Sequence, residues 1–169
     1  MAGALIVTAE IGSRDLAWLD QLRRAHYPAE RNHVPAHLTI FHALPPSAEG
    51  EARRALARLA SEAPPPGASI DGLMDLGGGV AFRVVSAGLD RIRGDLADNF
   101  NGLLSSQDSG GWRPHITIQN KVAPREARGL LAALESDFRP RPVAISGLGL
   151  YRYVGGPWEK VAAYPFRGR

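Results

Sequence analysis

The sequence predicts an α+β fold, residues 1–169 forming one body of two pseudo-symmetric lobes in which two antiparallel sheets with flanking helices surround a central cleft. Three observations carry this. The order strand, helix, strand, helix, strand occurs twice along the chain. The middle strand of each copy bears nearly the same four letters, HLTI at His37 to Ile40 and HITI at His115 to Ile118. Two copies are too few for a solenoid, and a chain of 169 residues that is 44% hydrophobic is long enough to bury one sizeable core.

Each element has its own signal. Leu5 to Ile11 is an apolar run of strand length, and Arg14 to Ala25 repeats Leu16, Leu19 and Leu22 at helical spacing behind Ser13 as an N-cap. After a loop, AHLTIFHAL is a strand. Ser47 to Ala60 is an Ala- and Arg-rich helix, stopped by APPPGA because proline cannot continue it. Ser69 to Leu76 and Val80 to Val85 are strands joined by the GGG turn of Gly77 to Gly79. The order then restarts with Leu89 to Leu104 as an amphipathic helix, WRPHITIQN as a strand, Pro124 to Phe138 as a helix and RPRP as a stop. Val143 to Tyr153 and Trp158 to Phe166 are closing strands around the turn VGGP.

Composition narrows the function. With no cysteine, disulfides, thiolate nucleophiles and cysteine-held zinc or iron are excluded, and any metal would rest on His, Asp and Glu. A zinc site from His33, His37 and His42 is disfavoured, since a regular strand puts His37 and His42 on opposite faces with no acidic ligand close in sequence. No metal and no cofactor are expected. The net charge of +3, with 18 arginines and two lysines, falls short of the basic face of a duplex-binding protein. No basic flank precedes the N-terminal apolar run, Glu10 cuts that run short, and no segment is long enough to span a membrane, so a cytoplasmic protein with no membrane partner is expected; a monomer is expected as well.

The repeated tetrapeptides carry the chemistry. On a strand, residues i and i+2 share a face, so His37 and Thr39 point one way and Leu38 and Ile40 the other, and His115, Thr117, Ile116 and Ile118 repeat the division. The apolar pairs anchor each strand, leaving an imidazole and a hydroxyl projecting together. Two facing imidazoles suit displacement at phosphorus: one takes a proton from the attacking oxygen and the other gives one to the leaving oxygen. Threonine hydroxyls can donate to the non-bridging oxygens as charge spreads over them.

Two His-hydrophobic-Thr-hydrophobic motifs, one per half of a chain this size, resemble the two-histidine (2H) phosphoesterase superfamily, which includes 2',5' RNA ligase-like proteins and cyclic phosphodiesterases. HLTIFHALP and RPHITIQNKV resemble its bacterial RNA ligase-like branch. The resemblance implies a bilobal fold, metal-independent chemistry on 2',3'-cyclic phosphates or 2',5' linkages, RNA termini or small cyclic nucleotides as partners, and His37, Thr39, His115 and Thr117 as the catalytic set. A 2',5' ligase or a non-catalytic module holding an RNA terminus are the alternatives.

Six further residues are candidates for substrate binding. Phe41 continues the parity of Thr39 and either stacks on a base or belongs to the core. Gln119 holds the matching place after Thr117, with Lys121 next in parity. Arg83, inside VAFRVV, points at phosphate or is solvated at an edge, and Tyr151 and Trp158 line the cleft or cap the core. His42 has the parity of Leu38 and Ile40, so in a regular strand it leaves the catalytic face.

Overall fold

In the computed structural model, which describes residues 3–169, the chain runs β1 (Leu5–Ile11), α1 (Ser13–His26), β2 (Leu38–Leu44), α2 (Glu49–Glu62), β3 (Ser69–Asp75), β4 (Val80–Val85), α3 (Ala87–Asn99), α4 (Ser106–Ser109), β5 (His115–Gln119), α5 (Pro124–Asp137), β6 (Arg141–Pro142), β7 (Ile145–Tyr153) and β8 (Trp158–Pro165). Most boundaries follow the sequence signals. Ser13 is already inside α1, which Gly12 precedes without a side-chain cap. Ser47 sits in a 3-10 turn ahead of α2. α3 is capped by Ser86, whose hydroxyl accepts from the Leu89 amide, and it ends at Asn99, short of the expected Leu104, before the chain turns at Gly102 with φ of 84°. α5 ends at Asp137, ahead of the expected RPRP stop, and the last two residues of that stop also form β6, which pairs with Ser69 and Ile70.

The expectation of two sheets is corrected by the strand order. All eight strands form one sheet, β6-β3-β4-β5-β2-β1-β7-β8, with every pairing antiparallel. The physical reason is a narrow bridge. β2 and β5 pair at one position, Leu38 opposite Ile116, and this joins two four-stranded halves into a single sheet.

The repeat in the sequence is visible in that order. β1-α1-β2 matches β4-α3-β5, and the third strand of each copy pairs away from its own copy: β3 adds to β4 and β7 adds to β1. Outward from the β5–β2 junction, both halves therefore run second, first and third strand, with β6 and β8 as outer additions. The two copies have exchanged their third strands about a pseudo-dyad at Leu38 and Ile116.

Leu38, Ile40, Ile116 and Ile118 are fully buried in one core cluster with Leu5, Val7, Leu56, Leu89 and Leu96. Each such side chain contributes about 1.5–3 kcal/mol of apolar burial, which fixes the two motif strands to the body and leaves their other face open. Each motif strand is also bulged at the same place. Thr8 pairs with Thr39 but Val7 with Phe41, and Ala81 pairs with Thr117 but Val80 with Gln119, so Ile40 and Ile118 are extra residues in their ladders. Among the described residues no helix is long and apolar enough to cross a membrane.

Candidate active site

The junction sets the geometry of the two motifs. One step to either side of the Leu38–Ile116 pair, in opposite directions along the two strands, puts His37 across from Thr117 and Thr39 across from His115. Each imidazole thus has the other copy's hydroxyl as its cross-strand neighbour. All four side chains are partly exposed, on the face opposite the buried leucine and isoleucines.

Both rings are held in the same way. His37 Nδ1 lies 2.8 Å from the carbonyl oxygen of Pro35, and His115 Nδ1 lies 2.7 Å from that of Arg113. A carbonyl can only accept, so each Nδ1 carries the proton and donates it, leaving each Nε2 for proton transfer. The sequence places these carbonyls two residues before each histidine, in VPAH and WRPH. Desolvation lowers the His37 pKa from 6.5 to about 4 against the raising effect of its bond to Pro35, helped by the charges of Arg23, His115 and His42. Its imidazole is neutral at pH 7.

Beyond the junction the two motif strands part, and their freed backbone groups find side-chain partners. On β5 the carbonyl of Thr117 accepts from Arg23 at 3.0 Å. Arg23 is buried, its guanidinium 4.0 Å from the centroid of the Tyr27 ring and its Nε donating to Asn32 at 2.7 Å. On β2 the carbonyl of Thr39 faces the Trp112 indole at 3.4 Å, and the amides of His42 and Ala43 donate to Asp108 at 2.9 and 3.0 Å. Burial favours a neutral Asp108, but these bonds and one from the His42 ring outweigh it and hold the carboxyl below the usual carboxylate range.

A cavity of about 470 Å³ opens beside His37 and extends over β1, β7 and β8. Trp158 packs on the His37 ring with centroids 4.5 Å apart, and Tyr151 lies 5.7 Å beyond Trp158. Thr8 and Glu10 share the face of Thr39, and Glu10 accepts from Tyr151 Oη at 2.8 Å and from Thr8 Oγ1 at 3.2 Å. Burial, and then the neighbouring Glu10, raise the Tyr151 pKa, so the phenol stays protonated. Opposite Thr8 stands Gly149, where a Cβ would come within 2.7 Å of the Thr8 hydroxyl and 2.8 Å of the Glu10 carboxyl carbon.

The substrate-binding candidates divide. Tyr151 and Trp158 line the cavity with His37. Arg83 stands directly across from His115 on β4, so it shares the motif face; it is exposed and paired with Asp71 at 2.9 Å, in the space that Gly72 leaves. Phe41 and Gln119 are corrected by the bulges, each of which turns the next residue to the core. Phe41 is fully buried edge-on to Phe100, 5.8 Å away, and Gln119 is 3% exposed with its side-chain oxygen unpartnered. Lys121 falls beyond β5 at φ of 65°, where strand parity no longer applies. By the same logic His42 is returned to the face of Thr39, contrary to expectation.

Sequence reasoning does not single out Glu10, Arg23 or Asp108. Glu10 has a readable signal, a charge closing an apolar strand two places after Thr8. Arg23 and Asp108 have none, because the edges they satisfy exist only in three dimensions. Among the described residues no three His, Asp or Glu side chains are grouped to hold a metal ion.

The whole-chain architecture is shared with solved proteins. The chain is similar to TT0787 of Thermus thermophilus, at 18% identity and a TM-score of 0.68 over 98% of this chain and 99% of that one. It is similar to E. coli LigT complexed with 3'-AMP, at 14% identity and 0.62 over 98% and 99%, and to a protein described as a phosphoesterase, at 18% and 0.59 over the same shares. At these identities the likeness establishes the fold. No sequence match is found among curated proteins. The model of the 2'-5' RNA ligase superfamily matches residues 12–157, which include both motifs and the junction between them, and the chain therefore belongs to that superfamily, the 2H phosphoesterases.

Proposed function

We propose that residues 1–169 act as one domain that hydrolyses the 2',3'-cyclic phosphates of RNA ends or small nucleotides by acid/base catalysis between His37 and His115. The observation that carries this reading is the crossed register, His37 beside Thr117 and Thr39 beside His115, with both Nδ1 atoms tied to backbone carbonyls. Superfamily membership and the 3'-AMP complex of LigT support a nucleotide phosphate as the ligand.

His37, neutral at pH 7, is the base: its Nε2 takes a proton from the attacking water. The water oxygen bonds to phosphorus, the bond to one ribose oxygen breaks on the opposite side, and that oxygen takes the proton of His115 Nε2. Thr39 and Thr117 donate to the two non-bridging oxygens, whose charge grows in the transition state. The cavity receives the nucleoside against Trp158 and Tyr151, with Arg83 near the phosphate beside His115. The protein supplies every acid, base and donor in this scheme, and it works as a monomer.

With a 5'-hydroxyl attacking the cyclic phosphate in place of water, the same residues would join two ends through a 2',5' linkage, the bond to O3' breaking, and the superfamily's name makes this the second reading. Incubating the protein with a 2',3'-cyclic mononucleotide, with a cyclic-ended oligomer, and with that oligomer plus a 5'-hydroxyl oligomer separates the cases. Hydrolysis of the first two is expected, joined product would favour ligation, and binding without any conversion would leave a terminus-binding module.

A further inference from the structure

The acid, the base and both donors are accounted for, and a carboxylate in the cavity beside them is left without a task. We propose that Glu10 is the specificity-determining residue of this cavity, accepting from the Watson–Crick edge of the nucleobase and selecting guanine over the other bases. This deepens the reading above and rests on it for the reaction, while the choice of base is also measurable by binding alone.

Placement comes first. One step on from the Ala9–Leu38 pair, Glu10 falls across from His37, as Arg83 falls across from His115 on β4. The pseudo-dyad thus sets a carboxylate against a guanidinium, and of the two only Glu10 lines the cavity that receives the nucleoside. The floor around it is flat. Gly147 stands beside Glu10 on β7, Gly149 beside Thr8, and Ala163 beside Gly149 on β8, so no large side chain rises between Glu10 and the aromatic wall of Tyr151 and Trp158. A carboxylate here repels the phosphate of a nucleotide, a cost that hydrogen-bond donors on the base would offset. A residue needed only to hold Tyr151 and Thr8 could be a neutral acceptor.

Hydrogen-bonding capacity comes second. Glu10 Oε1 accepts from Tyr151 Oη at 2.8 Å and Oε2 from Thr8 Oγ1 at 3.2 Å. A carboxylate offers about four acceptor sites, two on each oxygen, so one is left on each. The edge that fits them carries two donors side by side. Guanine has that pair in N1–H and its 2-amino group, and two parallel bonds to a carboxylate are the strong, orienting kind. Adenine and cytosine set a ring acceptor next to their amino group, and uracil flanks its one N–H with two carbonyls, so each turns a lone pair toward the carboxylate. The two hydroxyls fix the carboxylate before the base arrives, which removes an ordering cost from binding.

Wild type and Glu10→Gln are assayed on the 2',3'-cyclic phosphates of guanosine, inosine, adenosine and uridine, and calorimetric affinities are measured for the 2'- and 3'-monophosphates of the same nucleosides. Guanosine is expected to lead adenosine and uridine by about 10- to 100-fold in kcat/KM, chiefly through KM, the scale of hydrogen bonds to a charged group. Inosine, which keeps N1–H and lacks the amino group, should fall between. Stacking on Trp158 favours both purines alike, so the ratio of guanosine to adenosine isolates the edge. Glu10→Gln turns one acceptor into a donor, so the lead of guanosine should vanish and adenosine and uridine should gain relative to it, whereas loss of a merely structural residue would lower all four together. A wild type that treats guanosine and adenosine alike, or a Glu10→Gln variant that keeps the guanosine lead, would overturn the proposal. Should the variant fail to fold, the wild-type order of the four nucleotides decides. A wild type that opens none of the cyclic phosphates yet binds the guanosine monophosphates most tightly would refute hydrolysis and still support the role of Glu10; with no preference in affinity either, that role falls as well.

Discussion

At the scale of single residues, the backbone holds the two histidines alike, each Nδ1 on the carbonyl two residues before it. His37 is desolvated, and its pKa of about 4 places it in the neutral form that a base needs. The acid limb of kcat/KM should therefore bend well below pH 6.5, and an acid limb centred at 6.5 or above would remove His37 from the role of base. His37→Ala and His115→Ala should each lower turnover by about 100-fold or more. Because both side chains face outward from the sheet, the variants should keep the wild-type circular dichroism spectrum, and unfolding of both would make the motif structural. The threonines test the transition state. Thr39→Val and Thr117→Val keep the branched shape and delete the donor, so kcat should fall by roughly 10- to 1000-fold while affinity for a product nucleotide changes far less. Equal losses in single-turnover rate and calorimetric affinity would contradict donation confined to the transition state.

At the scale of elements, alternation made the motif strands legible and the bulges limited how far it could be followed. From His37 to Ile40 the period of two holds, and the inward and outward assignments of all four residues follow from the letters. One extra residue then reverses the rule, sending Phe41 and Gln119 into the core and bringing His42 out. Nothing in HLTIFH or HITIQN marks the bulge, since Ile40 and Ile118 are ordinary strand residues; it is set by how β1 and β4 align with them. The unexpected β6 has a like origin, in the edge of β3 that lies elsewhere in sequence, whereas the early end of α3 is local, set by the turn at Gly102. β7 carries a test at this scale. Gly149→Ala should push against Thr8 and Glu10, at approaches of 2.7 and 2.8 Å, and distort the floor of the cavity. A loss of about 1–3 kcal/mol is expected, the usual cost of overpacking, and an unchanged melting curve would show that the pair moves aside freely.

At the scale of the whole molecule, the fold resists acid less well than its charges alone suggest. The folded-state pKa of His37 is lowered, so the unfolded chain binds a proton near pH 6.5 that the folded chain refuses until about pH 4. Stability contributed by the neutral ring is complete above pH 6.5 and is lost as the pH falls toward 4. His37→Gln should flatten the decline of melting temperature across that window, and an unaltered slope would place the acid sensitivity elsewhere. Activity is expected to survive EDTA, because the proposed scheme uses protein donors throughout; loss on chelation restored by one divalent ion would reject it.

The exchanged third strands also impose an order on biosynthesis. β1 leaves the ribosome early, while β7, which completes one of its edges, comes more than 130 residues later. At the ~5–20 residues per second of translation, that hydrogen-bonding edge waits on the order of ten seconds for its partner. The nascent protein must spend this interval with β1, six of whose seven residues are buried in the finished fold, open to pairing with other chains. Chains released before Ile145 should therefore aggregate or engage chaperones, and full-length chains should not; a soluble, monodisperse 1–144 fragment would show that β1 finds another cover while it waits.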